Sequence, residues 1–193
     1  ALNAYRRNTL ISGGLTTMSS TPQNATFMPL AIAILTISDS RTEADDKSGA
    51  LLRDKAEAAG HRVVAKQIVA DDLYQMRAIF RHWIADPEVR VILSTGGTGI
   101  TGRDSTPEAV APLLDKSIDG FGELFRQISF QEIGPSTIQS RALAGLANST
   151  LVFCLPGSSG ACRTAWDDLL APQLDSRTEP CNFAQLIARF DEH

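Results

Sequence analysis

The chain has 193 residues, which is the length of one ordinary domain with or without a tail. Its net charge of −4 argues against a nucleic-acid-binding protein, and no segment approaches the roughly 20 consecutive apolar residues of a membrane-spanning helix. The three cysteines form no Cys-X-X-Cys pair, so their odd number favours a reduced, cytoplasmic protein over a disulfide scaffold.

The N-terminal residues are expected to lie outside the domain. Residues 1–28 lack the apolar core of a signal peptide, and we predict a tail that is disordered or foreign to the native protein. Met18 precedes a polar stretch, so we expect the native chain to start there. The domain is then predicted to span residues 29–183, followed by a short C-terminal tail over residues 184–193.

Apolar runs and amphipathic stretches alternate along the chain. The apolar run over residues 31–38 is typical of a strand buried on both faces. Further strands are predicted over residues 61–69, 89–95 and 150–155, and most of the four are continuously apolar. Helical spacing of apolar side chains predicts helices over residues 48–59, from Leu73 to the Asp86-Pro87 pair, and over residues 106–114, 121–133 and 161–174. Residues 134–149 give no clear pattern, although a helix fits residues 140–147. The alternation predicts an α/β fold, with a mostly parallel sheet covered by helices on both faces.

Five side chains are assigned to the core or to the surface by their surroundings. Cys154 lies in an apolar run, and Trp83 and Trp166 fall on the apolar faces of predicted helices, so all three are expected in the core. His61 and His82 pair with no cysteine or serine in a catalytic arrangement, so both are expected at the surface.

A glycine loop, Gly96–Gly99, follows the third predicted strand and is the most informative stretch of the sequence. Its glycines remove side chains, so backbone N–H groups can face a ligand closely, and a loop in this position is a natural anion site. Arg103 and Asp104 follow it and supply a cation for phosphate and a carboxylate for a metal or a proton. The next helix is predicted to have Thr106 as its N-cap and Pro107 at its first position.

Residues 97–102 also match two nucleotide-binding patterns imperfectly. They read Gly-X-Gly-X-X-Gly, but a dinucleotide-binding fold expects that motif after its first strand and opening directly into a helix. They have the spacing of a phosphate-binding P-loop as well, but Arg103-Asp104 stands where Lys-Ser/Thr is required. A flexible surface connection is the remaining alternative, although the glycines begin where the strand ends and stop before a helix start.

Four polar or glycine-rich loops are predicted to converge at one edge of the sheet. Ligands of parallel sheets bind beyond the carboxyl ends of the strands. The loops at those ends contain Ser38-Asp39, Ala70-Asp71-Asp72, Thr95–Gly99 and Pro156–Ser159. The last of them is either a tight turn or a second anion site at a helix N-terminus.

Three carboxylates at this edge, Asp71, Asp72 and Asp104, have a structural and a functional interpretation. Asp71 or Asp72 caps the following helix in the structural one, and Asp104 is then a solvated loop charge. In the functional one, Asp71 and Asp104 meet across neighbouring strand ends. There they would hold Mg²⁺ together with substrate phosphates.

Several separated motifs resemble the molybdopterin-binding domain family of MoaB and MogA. The main motif is Thr95-Gly-Gly-Thr-Gly-Ile-Thr-Gly-Arg-Asp-Ser-Thr-Pro-Glu-Ala109. Shorter matching motifs lie at residues 34–39, 46–49, 120–126, 155–157 and 161–166, so the resemblance covers about Leu30 to Phe183. Residues 130–142 and 172–183 are more similar to the MoaB branch than to the MogA branch.

The resemblance implies a three-layer α/β/α sandwich that binds molybdopterin, the dithiolene pterin of the molybdenum cofactor. Active members are nucleotidyltransferases: molybdopterin and MgATP give adenylyl-molybdopterin and pyrophosphate. By position, Asp71 and Asp104 are the two acids required for this step, as ligands of Mg²⁺ or as phosphate-positioning groups. Ser38 and Asp46 are assigned to the nucleotide. The pterin and phosphate pocket is assigned to Thr95, Gly96, Gly97, Thr98, Gly99, Pro156, Gly157 and Ser158.

The resemblance leaves the activity and the assembly open. Ala70 precedes Asp71 where the family often has proline, but the acid itself is kept. Some members of the MoaB branch are thought to bind without catalysing, so the alternative is a molybdopterin-binding carrier or regulator, and a scaffold use of the domain is a third possibility. The family implies a homo-oligomer, either a trimer or a hexamer, and the apolar patch from Phe183 to Phe190 is compatible with packing on a partner.

Overall fold

The computed structural model describes residues 26–190 and Glu192, so the predicted start at Met18 lies outside the described residues. Within them, six strands form one mixed sheet in the order β2-β1-β3-β6-β5-β4. Strands β2, β1, β3 and β6 run parallel, and β5 and β4 each run antiparallel to the preceding neighbour in that order. The strands are β1 (Ala31–Ile37), β2 (Arg62–Val69), β3 (Val91–Thr95), β4 (Lys116–Ser117), β5 (Leu143–Ala147) and β6 (Thr150–Leu155).

The helices connect the strands and cover the sheet. They are α1 (Lys47–Ala58), α2 (Leu73–Ala85), α3 (Thr106–Val110), α4 (Asp119–Ile133), α5 (Ser159–Thr164), α6 (Ala171–Leu174) and α7 (Phe183–Leu186). A π-helical segment, Ala165–Leu170, joins α5 to α6 without a break, and 3₁₀ turns occupy Ala111–Leu113, Gly134–Gln139 and Ile187–Arg189. None of the described helices combines the length and the hydropathy that a membrane crossing requires.

The sheet carries a separate hydrophobic core on each face, which confirms the three-layer α/β/α architecture. Because side chains alternate along a strand, Ile32 and Ile34 of β1 enter one core, and Ala33 and Leu35 enter the other. The first core contains side chains from α1, α4 and the α5–α6 stretch, among them Leu52, Phe125 and Trp166. The second contains side chains from α2 and α3, among them Phe80, Trp83 and Val110, together with Cys154 of β6. The predicted core positions of Cys154 and both tryptophans are confirmed.

The prediction that a helix fits residues 140–147 is wrong, because Leu143–Ala147 is strand β5. It pairs antiparallel with β6 through a two-residue turn at Asn148 and Ser149, which have φ angles of 45° and 66°. Positive φ at both central residues is typical of tight hairpins. The strand itself reads Leu-Ala-Gly-Leu-Ala and has no β-branched residue, so its composition favours a helix while its pairing with β6 makes it a strand.

The start of α3 differs from the prediction, whereas the predicted aspartate cap of α2 is confirmed. The N-cap of α3 is Ser105, and Thr106 is already the first helical residue. The Thr106 hydroxyl is fully buried and donates to the carbonyl oxygen of Gly96 at 2.9 Å, so it ties the helix to the glycine loop instead of capping the helix. Helix α2 does begin with an aspartate cap, because the Asp72 carboxylate accepts from the N–H groups of Tyr74 and Gln75.

The apolar residues near the C-terminus pack on the chain's own first core. The ring of Phe183 in α7 lies 6.0 Å from that of Phe153 in β6, measured between centroids. Ile187 and Phe190 are half-buried against the same core. These contacts cover apolar surface without a partner chain, so the patch provides no specific support for an interface.

His61 is buried, which corrects its predicted place at the surface, whereas the exposed position of His82 is confirmed. His61 is only 5% exposed, and its ring lies between those of Phe27 and Trp166, at centroid distances of 5.2 and 6.3 Å. Its Nδ1 accepts a hydrogen bond from the backbone N–H of Leu30 at 3.2 Å. Burial lowers the pKa of His61, and the charge of Asp175 opposes that shift.

We expect His61 to make the stability depend on pH. Because its pKa in the folded state lies below the unfolded value of 6.5, its contribution is complete above that value and is lost as pH falls through the folded pKa. His61→Asn keeps an acceptor for the Leu30 N–H but does not titrate. The free energy of unfolding should therefore fall less between about pH 7.5 and about pH 5.5 in His61→Asn than in the wild type.

The matched control is His82→Asn, which removes an exposed histidine instead of a buried one. Chemical denaturation at several pH values measures both variants. Equal pH dependence in the wild type and His61→Asn would show that His61 does not titrate within the folding equilibrium.

Candidate functional site

A cavity of about 800 Å³ opens at the carboxyl ends of β1, β3 and β6. Its size is that of a small-molecule site. Backbone hydrogen bonds join the ends of neighbouring strands below it: the N–H of Ser38 donates to Val69 at 2.8 Å, and the N–H of Gly96 donates to Leu155 at 3.0 Å. The predicted convergence of the loops that follow the strands is therefore confirmed for the loops after β1, β3 and β6.

At Gly96 and Gly97 the glycine loop packs so tightly on its neighbours that neither position has room for a side chain. Gly96 and Gly97 have φ angles of 109° and 65°, in the region that favours glycine. A Cβ at Gly96 would collide with the carbonyl oxygen of Ile37, and a Cβ at Gly97 would collide with the Thr106 hydroxyl. On the other side, a Cβ at Gly157 would lie 3.4 Å from the Cα of Gly96. The backbone of the loop thus forms the cavity wall.

Asp104 lines the cavity, and its carboxylate is held by its own loop. The Oδ2 atom accepts from the Thr101 hydroxyl at 2.6 Å and from the Thr101 N–H at 2.8 Å. The hydroxyl bond lowers the pKa of Asp104 most, and the backbone N–H groups of Thr101 and Gly99 lower it further against the opposing effect of burial. Asp104 therefore brings a negative charge to the cavity wall near neutral pH.

Asp71 lies behind the glycine loop, and it is not among the residues that line the cavity. Its Oδ1 accepts from the hydroxyl and the N–H of Ser105 at 2.5 and 3.2 Å, and its Oδ2 would lie 2.7 Å from a Cβ at Gly97. Asp71 and Asp104 are thus in contact with the same loop at different points. Among the residues that the structure describes, no group of three or more His, Cys, Asp or Glu side chains is arranged to hold a metal ion.

The cation at the cavity is Arg41, whereas the sequence prediction favoured Arg103. The Arg103 guanidinium forms two hydrogen bonds with the Asp39 carboxylate, at 2.6 and 3.1 Å, and Arg103 does not line the cavity. Arg41 does line it, and its guanidinium donates to the Ser48 hydroxyl at 2.5 Å and to the Gly157 carbonyl at 3.0 Å. It therefore bridges the loops after β1 and β6.

Of the two residues assigned to a nucleotide, Ser38 lines the cavity and Asp46 does not. The Ser38 hydroxyl accepts from the N–H of Arg41 at 3.2 Å and so shapes the loop that carries Arg41. The Asp46 carboxylate is completely buried as the N-cap of α1, where it accepts from the Gly49 N–H and the Thr36 hydroxyl, both at 2.9 Å. Burial opposes its ionisation, but hydrogen bonds, led by that from Lys66, lower the pKa of Asp46.

The loop after β6 brings a helix N-terminus to the cavity. The Ser158 hydroxyl accepts from the N–H of Ala161 at 3.1 Å and caps α5, and both residues line the cavity together with Pro156 and Gly157. Thr95 is fully buried and does not line it, but the Thr95 hydroxyl donates to the Pro156 carbonyl at 2.9 Å. Thr95 thus joins the glycine loop to the loop after β6.

The opposite wall of the cavity was not predicted from the sequence. It is formed by one face of α4 and by the 3₁₀ turn that follows it, through Phe125, Ser129, Glu132, Ile133, Ser136, Thr137, Gln139 and Ser140. The apolar periodicity of α4 indicated a core-facing stripe, which Phe121 and Phe125 do form. Which polar side chains of α4 face the cavity depends on how the helix packs over the sheet, and no local pattern indicates that.

Comparison with known proteins assigns the chain to a family. It matches the family model described as "Probable molybdopterin binding domain" over residues 33–176. It is 59% identical over 157 residues to Molybdenum cofactor biosynthesis protein B of Escherichia coli, covering 81% of this chain and 92% of that protein. To the same-named protein of Bacillus cereus it is 50% identical over 142 residues, covering 73% and 84%.

Solved structures agree with this assignment. A crystal structure of Molybdenum cofactor biosynthesis protein B superposes with a TM-score of 0.74 at 49% identity, covering 76% of this chain and 92% of that one. The tungsten cofactor synthesizing protein MoaB from Pyrococcus furiosus gives a TM-score of 0.67 at 36% identity, covering 74% and 91%. The chain therefore belongs to the molybdenum cofactor biosynthesis protein B family and carries that family's molybdopterin-binding domain.

Proposed function

We propose that this protein binds molybdopterin in the cavity and transfers the adenylyl group of ATP to it, giving adenylyl-molybdopterin and pyrophosphate. The observation that carries the proposal is the composition of the cavity wall. The glycine loop, which has no side chain at three of its four positions, lines one space of about 800 Å³ together with the cation of Arg41 and the ionised carboxylate of Asp104. Phosphoryl chemistry needs such a combination of backbone donors and opposite charges.

The phosphate of molybdopterin is proposed to lie between the glycine loop and the first turn of α5. Backbone N–H groups at both places and the Ser158 hydroxyl can donate to phosphate oxygens. Arg41 stands beside Gly157 at the same end of the cavity and adds a positive charge. The flat pterin is proposed to lie toward the α4 wall, where Ile133 offers apolar surface and Ser129 offers a hydroxyl.

The proposed reaction needs little covalent work from the protein. A terminal phosphate oxygen of molybdopterin attacks the α-phosphorus of ATP and forms a new P–O bond. The bond from that phosphorus to the oxygen bridging to the β-phosphate breaks, and pyrophosphate leaves with the electron pair. The nucleophile is already an anion, so the chain's residues only position the two phosphates and balance their charge.

Mg²⁺ would enter with ATP and would neutralise phosphate charge during the transfer. Carboxylate oxygens fit this ion, which is usually held by one or two carboxylates together with substrate phosphates and water. We propose Asp104 as the ligand on the cavity side and Asp71 as the second acid at the same loop. Substrate phosphates must supply further ligands, because the described residues offer no cluster of three or more suitable side chains.

The second candidate function is binding of molybdopterin without transfer. One observation favours it: the Asp71 carboxylate lies outside the cavity lining and is already engaged by Ser105. A carrier or regulator of cofactor assembly would need the glycine loop and Arg41 but would not need both acids. The two candidates differ in turnover and agree in binding.

A turnover assay separates the two candidates. Purified protein is incubated with molybdopterin, MgATP and pyrophosphatase, and adenylyl-molybdopterin is followed by mass spectrometry. We expect product in proportion to protein, and we expect a chelator of Mg²⁺ to abolish the product while molybdopterin binding persists. Measurable binding with no product under any condition would contradict the transferase and favour the carrier.

We also propose that the protein acts in the cytoplasm as a homo-oligomer, a trimer or a hexamer. Helix α4 exposes Leu124, Phe130 and Ile133, and Ile138 follows with 82% of its surface exposed. Phe130 and Ile133 are three residues apart and so lie side by side on the helix surface, and neighbouring exposed apolar side chains are typical of association surfaces. Light scattering that gives the mass of a single chain at micromolar concentration would contradict the assembly.

A further inference from the structure

Arg141 binds the segment from Thr98 to Asp104, which runs from the glycine loop toward α3, and it does so from outside the cavity. Its Nε donates to the Gly99 carbonyl and its Nη2 donates to the Asp104 carbonyl, both at 2.7 Å, and its backbone N–H donates to the Thr98 carbonyl at 2.9 Å. The third guanidinium nitrogen, Nη1, forms an ion pair with the Glu108 carboxylate on α3. Arg141 does not line the cavity, so no ligand in the cavity needs it directly.

One peptide group that the Arg141 guanidinium holds also binds Asp71, and the peptide group that the Arg141 backbone N–H holds adjoins Asp104. In a trans peptide the carbonyl and the N–H point in opposite directions. The Asp104–Ser105 peptide turns its carbonyl to Arg141, and its N–H donates to the Asp71 carboxylate at 3.2 Å. The Thr98–Gly99 peptide likewise turns its carbonyl to the Arg141 backbone, and Gly99 packs against the Asp104 carboxylate, whose Oδ2 would lie 2.6 Å from a Cβ at Gly99.

We propose that Arg141 is a positioning residue, which fixes residues 98–105 so that their N–H groups keep the Asp71 and Asp104 carboxylates in place. The expected effect of Arg141 on turnover rests on the proposed transfer, whereas its expected effect on the order of residues 98–105 does not. The fork shape of the guanidinium is essential, because it engages two carbonyls and one carboxylate at fixed angles. Lysine keeps the charge but has a single ammonium group that cannot serve all three acceptors.

The test compares the wild type with Arg141→Lys and with Arg53→Lys, an exposed arginine that pairs only with its neighbour Asp54 among the ion pairs of the described chain. Hydrogen exchange of the amides in residues 98–105 is measured together with kcat, KM and the Kd for molybdopterin. For Arg141→Lys we expect faster exchange confined to residues 98–105. We expect kcat to fall by about 100-fold, since small misplacements of reacting groups have effects of that size, and we expect the Kd for molybdopterin to rise by much less, because only Thr98 and Gly99 of the loosened segment belong to the proposed phosphate site.

The milder variant Glu108→Gln keeps the guanidinium and weakens only its anchor, so it should shift exchange and kcat in the same direction by less. Arg53→Lys should match the wild type in both. Wild-type exchange at residues 98–105 in Arg141→Lys would overturn the proposal, and so would a rise in exchange spread over the whole domain. Faster local exchange with an unchanged kcat would overturn it as well.

Failure of the proposed function gives a different result from failure of this inference. If the wild type makes no adenylyl-molybdopterin, the transferase proposal fails, and hydrogen exchange alone then decides the role of Arg141. In that case, local loosening in Arg141→Lys supports the positioning role, and unchanged exchange overturns it.

Discussion

Gly96→Ala should destabilise the domain by about 3 kcal/mol and should also weaken molybdopterin binding. The backbone at Gly96 has a φ angle of 109°, and an added Cβ would collide with the carbonyl oxygen of Ile37. That carbonyl belongs to the end of β1 in the middle of the parallel strands, so the collision cannot be relieved by turning a side chain. The loop must move instead, and the cavity wall moves with it. Chemical denaturation measures the loss of stability.

The matched control for stability is Gly102→Ala. A Cβ at Gly102 would meet no atom within 4 Å, and its φ angle lies outside the region that favours glycine. Its effect should be within about 1 kcal/mol and can be stabilising, because alanine reduces the freedom of the unfolded chain. Equal stabilities of the two variants would show that the space between Gly96 and the end of β1 has room for a side chain, and the tight packing described for the glycine loop would be wrong.

Asp104→Asn should lower the rate of adenylyl transfer by about 100-fold or more while molybdopterin still binds. Asparagine has the same shape, and its carbonyl oxygen can still accept from the Thr101 hydroxyl and N–H, so the loop should keep its form. What is lost is the negative charge that we propose to face Mg²⁺. Turnover and molybdopterin affinity are measured on the same preparation.

Asp54→Asn on α1 is the control, because Asp54 is exposed and pairs with the adjacent Arg53. It should match the wild type in turnover. If Asp104→Asn retained full activity, Asp104 would have no role in the transfer. A loss of binding equal to the loss of turnover would instead indicate that Asp104 holds the ligand in its ground state.

The sequence was sufficient for the fold wherever burial alone determines the structure. Strands β1, β3 and β6 are buried along their whole length, so their continuous apolar runs predicted both their positions and the parallel sheet. Strand β5 was misread because it lies near the sheet's edge and is built from leucine, alanine and glycine. Its structure depends on pairing with β6, which is not encoded in a local period.

The loops of the candidate site could be predicted from the sequence, whereas the wall formed by α4 and the turn after it could not. The glycine loop and the turn after β6 could be recognised locally, because glycines after a strand indicate a tight loop and a serine before a helix indicates an N-cap. The cation was placed on Arg103 because it is close in sequence to the glycine loop, but Asp39 from another strand end binds Arg103. The roles of Arg41 and Arg141 rest on partners 116 and 42 residues away, namely Gly157 and Gly99. Such partners become visible only when the chain is folded.

The most direct test of the account is a crystal structure of the protein with molybdopterin bound. We expect the phosphate to lie within hydrogen-bond distance of N–H groups in the glycine loop and of Ser158, with Arg41 beside it and the pterin toward α4. Molybdopterin bound away from this cavity, for instance in the apolar depression beside Phe121 and Phe183, would contradict it.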